Sequence, residues 1–143
     1  MKIYLASPFF NEAEIEIYRR VITALRVEGY QVYVPQEHTI ENAWSLSNED
    51  WAQQVFVEDL YALDSCEVVM VLNFGMYSDS GTAWEAGYAM ALRKYTVQVL
   101  CGGDNATYSL MMINGCDGVV DLENVAHFEE VSANINRSKV IQK

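Results

Sequence analysis

Between Ser80 and Leu92 the only charged residue is Glu85, and its neighbours three and four positions away are Gly81, Thr82, Tyr88 and Ala89. No cation stands at helical reach to pair with it. Most helix glutamates are simply exposed. A lone carboxylate among alanines, glycines and aromatics fits better as a group held in a pocket, where it can act as nucleophile, acid or base. Asp59 repeats the pattern: Val55, Phe56, Ala62 and Leu63 surround it at helical spacing, so it interrupts an apolar stripe, whereas Glu58 points toward Gln54 and Tyr61. A carboxylate on a core-facing stripe is costly unless it does chemistry or is paired, for instance by loop amides. Asp79 stands where a helix begins. Capping alone would explain it, since a short side-chain oxygen accepts from the free amides of the first turn; so would a role in a site shared with Glu85.

Other residue types narrow the chemistry. Ser7-Pro8-Phe9-Phe10-Asn11 follows the first apolar run without the glycines of a phosphate-binding loop, which disfavours a nucleotide cofactor. Phe9 and Phe10 offer flat apolar surfaces for a base or a sugar face, or simply core. Tyr4 is either core or a hydroxyl at a pocket floor. His38 and His127 lack carboxylate or cysteine partners at metal-ligand spacing, and Cys66, Cys101 and Cys116 form no CxxC pair, so no metal site is expected and the thiols read as reduced and buried. No serine lies in a GxSxG setting. Neither a metal nor an organic cofactor is required.

The elements that must position these groups are legible as an alternation. Apolar β-type runs at Lys2–Ala6, Gln31–Val34, Glu67–Leu72, Thr96–Leu100 and Gly118–Val120 alternate with helical patterns over 11–28, 49–63, 80–93, a short 108–114, and 123–133. Strands that are apolar on both faces belong to a parallel sheet covered by helices. The expected fold is therefore α/β, a flavodoxin-like (Rossmann-like) five-stranded parallel sheet with helices on both faces. Ligands in such sheets bind beyond the carboxyl ends of the strands, which should bring 7–10, 35–39 and 73–80 together. With 143 residues, 51% of them hydrophobic, one domain over 1–143 is expected. Twenty acidic against nine basic residues, a net charge of -11, would repel nucleic acid or an anionic membrane. No apolar run is long enough to span a bilayer, so a cytoplasmic protein acting on a neutral small molecule is expected.

Four stretches carry a resemblance. Lys2–Phe10, Val57-Glu58-Asp59-Leu60, Asp79-Ser80-Gly81-Thr82-Ala83-Trp84-Glu85-Ala86-Gly87 and Ser109-Leu110-Met111-Met112, in that order over about four-fifths of the chain, resemble the nucleoside 2-deoxyribosyltransferases. The Asp-x-Gly-x-x-x-Glu element with its upstream Asp-Leu is the most specific part. The resemblance implies deoxynucleosides and free nucleobases as partners, Glu85 as nucleophile, Asp79 as the proton donor at the base, Asp59 as a second base-site carboxylate and Tyr4 as the residue that orients Glu85. The implied substrate-binding set is Asp59, Phe9, Phe10, Ser7, Gly81, Ser109 and Met111, the last two reaching the sugar from a neighbouring subunit of a dimer or hexamer with shared active sites. The chain departs from the family pattern at three places. Ser109-Leu110-Met111 replaces Asn-Leu-Met, His38-Thr39 stands where Asn-Gln touches the base, and the tail Lys139–Lys143 has no aromatic residue.

The implied reaction is transfer of 2-deoxyribose by two displacements with net retention. A carboxylate first stabilises and then bonds to the oxocarbenium-like carbon. An acid, expected to be Asp79 held protonated by burial and by its carboxylate neighbours, protonates the leaving base. Phe9, Phe10, Trp84 and Tyr88 are candidates for excluding water. Two rivals stay open: an N-glycoside hydrolase of a nucleoside or its 5′-monophosphate, and a non-catalytic nucleotide-binding module. The first would use the same glutamate, and a monophosphate site would show glycines, serines and an arginine after the first strand; the second would survive loss of Glu85.

Overall fold

A computed structural model describes residues 1–141. Five strands, β1 (Lys2–Ala6), β2 (Gln31–Tyr33), β3 (Val68–Asn73), β4 (Tyr95–Leu100) and β5 (Gly118–Asp121), form one sheet in the order β2-β1-β3-β4-β5, and every pairing is parallel. This is the flavodoxin-like order, and it reverses direction between β1 and β3. The α/β expectation holds, with five parallel strands and helices on both faces.

Strand periodicity of two sorts the core. Ile3, Leu5, Met70, Leu72, Val97 and Val99 point to one face, where they pack on Tyr18, Val21 and Leu25 of α1 (Glu12–Val27). Tyr4, Ala6, Val69 and Val71 point to the other, beneath Ala62 and Leu63 of α2 (Asn48–Ser65) and Ala86 and Ala89 of α3 (Ser80–Ala91). A third group, Leu100, Ile113 and Val119, seats α4 (Leu110–Asn114) at the β4–β5 end of that second face. Each long helix starts at a side-chain cap: Asn11 accepts from the Glu14 amide, Ser47 from Asp50 and Asp79 from Thr82, which satisfies amides left free by the first turn.

The helix expected over 123–133 breaks up. Leu122–His127 is a 3-10 turn, followed by a single α-helical turn, α5 (Phe128–Val131). The apolar residues Leu122, Val125, Phe128 and Val131 recur every third position, the 3-10 period, and that spacing lets all four reach the α1-side core. The tail expectation for Lys139–Lys143 includes Gln142 and Lys143, which lie outside the described residues. Cys66, Cys101 and Cys116 are free thiols. No helix among the described residues is long and apolar enough to cross a membrane.

Leu25 is fully buried against the sheet and Val27, two residues on, is 77% exposed. Leu25→Ala should lower the unfolding free energy in urea titrations by about 2–5 kcal/mol, through lost transfer energy plus a residual cavity. Val27→Ala should stay within about 0.5 kcal/mol of wild type.

Candidate active site

Alternation along β1 sends Tyr4 to the α2–α3 face, fully buried. The Asp79 cap fixes the start of α3, and the second turn of that helix brings Glu85 within reach of β1. There the Tyr4 hydroxyl donates to Glu85 Oε2. Burial, reinforced by the charges of Asp59 and Asp79, pushes the Glu85 carboxyl up from 4.5 to about 7, although the Tyr4 hydrogen bond works in the opposite direction. Burial also raises the Tyr4 phenol, and the Glu85 carboxylate raises it further. Tyr4 is therefore a neutral donor across the physiological range.

Asp59 enters from α2, half-buried. Desolvation raises its carboxyl, while the Tyr33 hydroxyl, donating to Oδ1 at 3.5 Å, and the charge of His38 pull it down. Asp79 is partly buried, and its Oδ2 accepts from both the Thr82 amide at 2.8 Å and the Thr82 hydroxyl at 2.9 Å. The cap is thus real. A Cβ on Gly81 would lie 3.2 Å from that oxygen, so glycine keeps the cap unobstructed.

Two cavities meet at Asp59. One, of about 600 Å³, is lined by Glu85, Gly81, Ser80, Trp84, Phe56 and Leu63 among others. The second, of about 320 Å³, runs under Phe9, Gln36, His38, Thr39 and Glu58. Asp59, Trp51 and Val55 line both, so a ligand placed across them would meet Glu85 at one end and the apolar face of Phe9 at the other. Aromatic packing stiffens the walls: Tyr33 stacks on Tyr4 with centroids 5.5 Å apart and on His38 at 4.2 Å, while Trp84 packs on Phe56 at 5.6 Å and Tyr88 at 5.3 Å.

Of the residues singled out in the sequence, Glu85, Asp59, Gly81 and Phe9 line these cavities; Tyr4 is buried beneath, bonded to Glu85, and Asp79, the cap of α3, lines neither. Ser7 is buried and its hydroxyl donates to the Pro8 carbonyl at 2.8 Å, so it shapes the loop. Phe10 is 77% exposed and stacks on Phe9 at 5.9 Å. Ser109 caps α4 and Met111 lies on it at the far end of the face, Met111 74% exposed, and neither lines the two cavities within one chain. Sequence reasoning missed Trp51, Val55 and Tyr33. The first two were readable, since Trp51, Val55, Asp59 and Leu63 recur at four-residue spacing on one helix face. Tyr33 was not, because only the β1–β2 register sets it beside Tyr4. Among the described residues no group of three or more His, Cys, Asp and Glu side chains could hold a metal ion.

Fold and site together define a doubly wound α/β protein with a carboxylate-bearing cavity at the β1–β3 reversal. The chain belongs to the nucleoside 2-deoxyribosyltransferase family, an enzyme family whose sequence model matches residues 3–107. It is 24% identical over 132 residues to a nucleoside deoxyribosyltransferase of Lactobacillus johnsonii, covering 85% of this chain and 89% of that protein. Among solved structures it is similar to a 2-deoxyribosyltransferase from the psychrotolerant bacterium Bacillus psychrosaccharolyticus, with TM-score 0.78, 28% identity and coverage of 100% and 98% of the two chains. A CMP N-glycosidase from Clostridium botulinum shares the fold, at TM-score 0.56 and 15% identity over 92% and 98% of the chains.

The raised Glu85 carboxyl has a stability consequence with a definite sign. Between about 4.5 and 7 the folded protein holds a proton there that the unfolded chain releases, so this group's contribution to stability falls as pH rises through that window. Glu85→Gln should match wild type at pH 4 and become more stable by about 1–2 kcal/mol above pH 7.5, the open cavity mouth screening part of the effect. Urea melts at the two pH values check it.

Proposed function

We propose that the chain transfers 2-deoxyribose from a deoxynucleoside to a free purine or pyrimidine base through a deoxyribosyl ester on Glu85. The observation that carries this reading is the Glu85 carboxylate, partnered by the Tyr4 hydroxyl and facing a cavity wide enough for a sugar, with a second carboxylate and an aromatic face where a base would lie. In the first displacement Glu85 bonds to the anomeric carbon as the bond from carbon to base nitrogen breaks, and Asp79 gives its proton to the departing base. In the second, the incoming base attacks the same carbon, the ester carbon–oxygen bond breaks, and the base's proton returns to Asp79. Tyr4 aims one carboxylate oxygen and leaves the other for attack. Asp59 meets the polar edge of the base, and Phe9 its face. Gly81 keeps the rim low beside the Asp79 cap.

The open cavity also supports a shared site. Leu110 and Met111 are 51% and 74% exposed on α4, while Trp51, Phe56 and Trp84 stand 45–50% exposed around the cavity mouth; apolar groups grouped in this way call for a partner surface. In this reading the protein is at least a dimer, a hexamer by family resemblance, and Ser109 and Met111 of a neighbouring copy close over the sugar. Its three free thiols fit a reducing compartment, the cytoplasm.

Glu85→Ala or Glu85→Gln should lower base exchange, followed by chromatography, by on the order of a thousandfold or more. A 2-fluoro-2-deoxy nucleoside should leave a sugar mass on the peptide bearing Glu85; labelling at Asp79 would reverse the roles. For the free enzyme, kcat/KM should fall about tenfold per pH unit below about 7, because the nucleophile must be ionised. Asp79→Asn should cost about two to four orders of magnitude in transfer, and Asp59→Asn should chiefly change base preference. Sedimentation should find a multiple of the single-chain mass; a fully active monomer would rule out the shared site.

A further inference from the structure

Tyr33 lies outside every stretch that pointed to the site, yet it contacts both Asp59, which lines the two cavities, and Tyr4, the partner of Glu85. Strand pairing places it directly beside Tyr4, and the two rings stack at 5.5 Å with planes 15° apart. Its hydroxyl donates to Asp59 Oδ1 at 3.5 Å, and its other ring face is covered by His38 at 4.2 Å, 12° from parallel. Tyr4 in turn donates to Glu85. A continuous path therefore runs from Asp59, between the two cavities, through the Tyr33 hydroxyl and ring to Tyr4 and the carboxylate above it.

We infer that Tyr33 is a positioning residue with two separable actions, its hydroxyl setting Asp59 for the base and its ring holding Tyr4, and through it Glu85, for the sugar. The inference rests on the transfer reaction proposed above and adds what ties its two half-sites together. The separation follows from chemistry. A hydrogen bond to a carboxylate acts on the atom that receives it and favours its charged form, whereas ring stacking constrains the neighbour's orientation and is indifferent to the para substituent. Removing the hydroxyl should therefore disturb base recognition alone, and removing the ring should disturb both.

Tyr33→Phe and Tyr33→Leu test this with steady-state base exchange. Tyr33→Phe should raise the KM for the acceptor base about fivefold to tenfold with kcat within about twofold of wild type, the effect of one lost hydrogen bond to a charged group. The pH dependence of the acceptor KM should also move upward, since Asp59 loses a donor that favours its ionised form. Tyr33→Leu should show the same rise in KM together with a fall in kcat of about tenfold or more, so that phenylalanine restores kcat and not KM. Unchanged KM in Tyr33→Phe, or equal losses of kcat in both variants, overturns the inference. Should Tyr33→Leu fail to fold, Tyr33→Phe, which keeps ring and volume, decides the matter through KM and the pH profile. A wild-type protein without base exchange would instead overturn the transfer reading itself, so the two failures are distinguishable.

Discussion

A carboxylate buried between a helix and a parallel sheet, with one tyrosine hydroxyl as its partner, sets the terms for the rest of this structure. Glu85 cannot be ionised there cheaply, and among the described residues it makes no ion pair. The neighbouring carboxylates Asp59 and Asp79 add to the strain. Such a group persists in a fold only where the surrounding packing over-determines its position, and here it does. Tyr4 is locked between the sheet and α2, α3 is pinned at its start by the Asp79 cap, and Ala86 and Ala89 seat that helix close to the strands.

The small residues of α3 follow from the same constraint. Thr82, Ala86 and Ala89 are its buried positions, and their size lets the helix axis approach the sheet until a glutamate one turn in can reach a tyrosine on β1. The larger residues of the helix, Trp84 and Tyr88, are turned outward onto each other and onto Phe56. The long helix α2 buries only Ala62 and Leu63, near its C-terminal end. Its N-terminal half stands away from the sheet, and the gap between it and α3 is the larger cavity. A cavity of that kind, apolar in its walls and anionic at its floor, suits an uncharged ligand that develops positive charge as it reacts, which agrees with a net charge of -11 that disfavours polyanions.

Asp79 carries a structural role beside the chemical one proposed for it. One of its oxygens is committed to the amide and hydroxyl of Thr82, so it is fixed by the very helix that carries Glu85. The spacing of six residues between the two carboxylates is then set by helix geometry rather than by loop conformation, and the proposed proton donor and nucleophile move as one rigid piece.

By itself the sequence determined what depends on period and on isolation. Apolar runs such as Val68–Leu72 and the helical patterns between them are local, and they specify the layers of an α/β sheet without any knowledge of pairing. Glu85 and Asp59 were legible because each is a lone charge on a stripe of apolar neighbours, and a charge in such a place needs a reason wherever the stripe ends up. The 3-10 turn at Leu122–His127 was not read as such, although its three-residue apolar spacing was there, because a short run of that kind matches the helical period nearly as well. What only the tertiary structure decided are the relations between strands. Tyr33 stacks on Tyr4 because β1 and β2 pair in one particular register, and the two cavities join at Asp59 because α2 stands off the sheet at its N-terminal end. Ser109 and Met111 lie away from the cavities of their own chain for the same kind of reason, since α4 covers the far end of the sheet. Pairing register and helix placement are set by contacts between residues distant in the chain, and no local pattern records them.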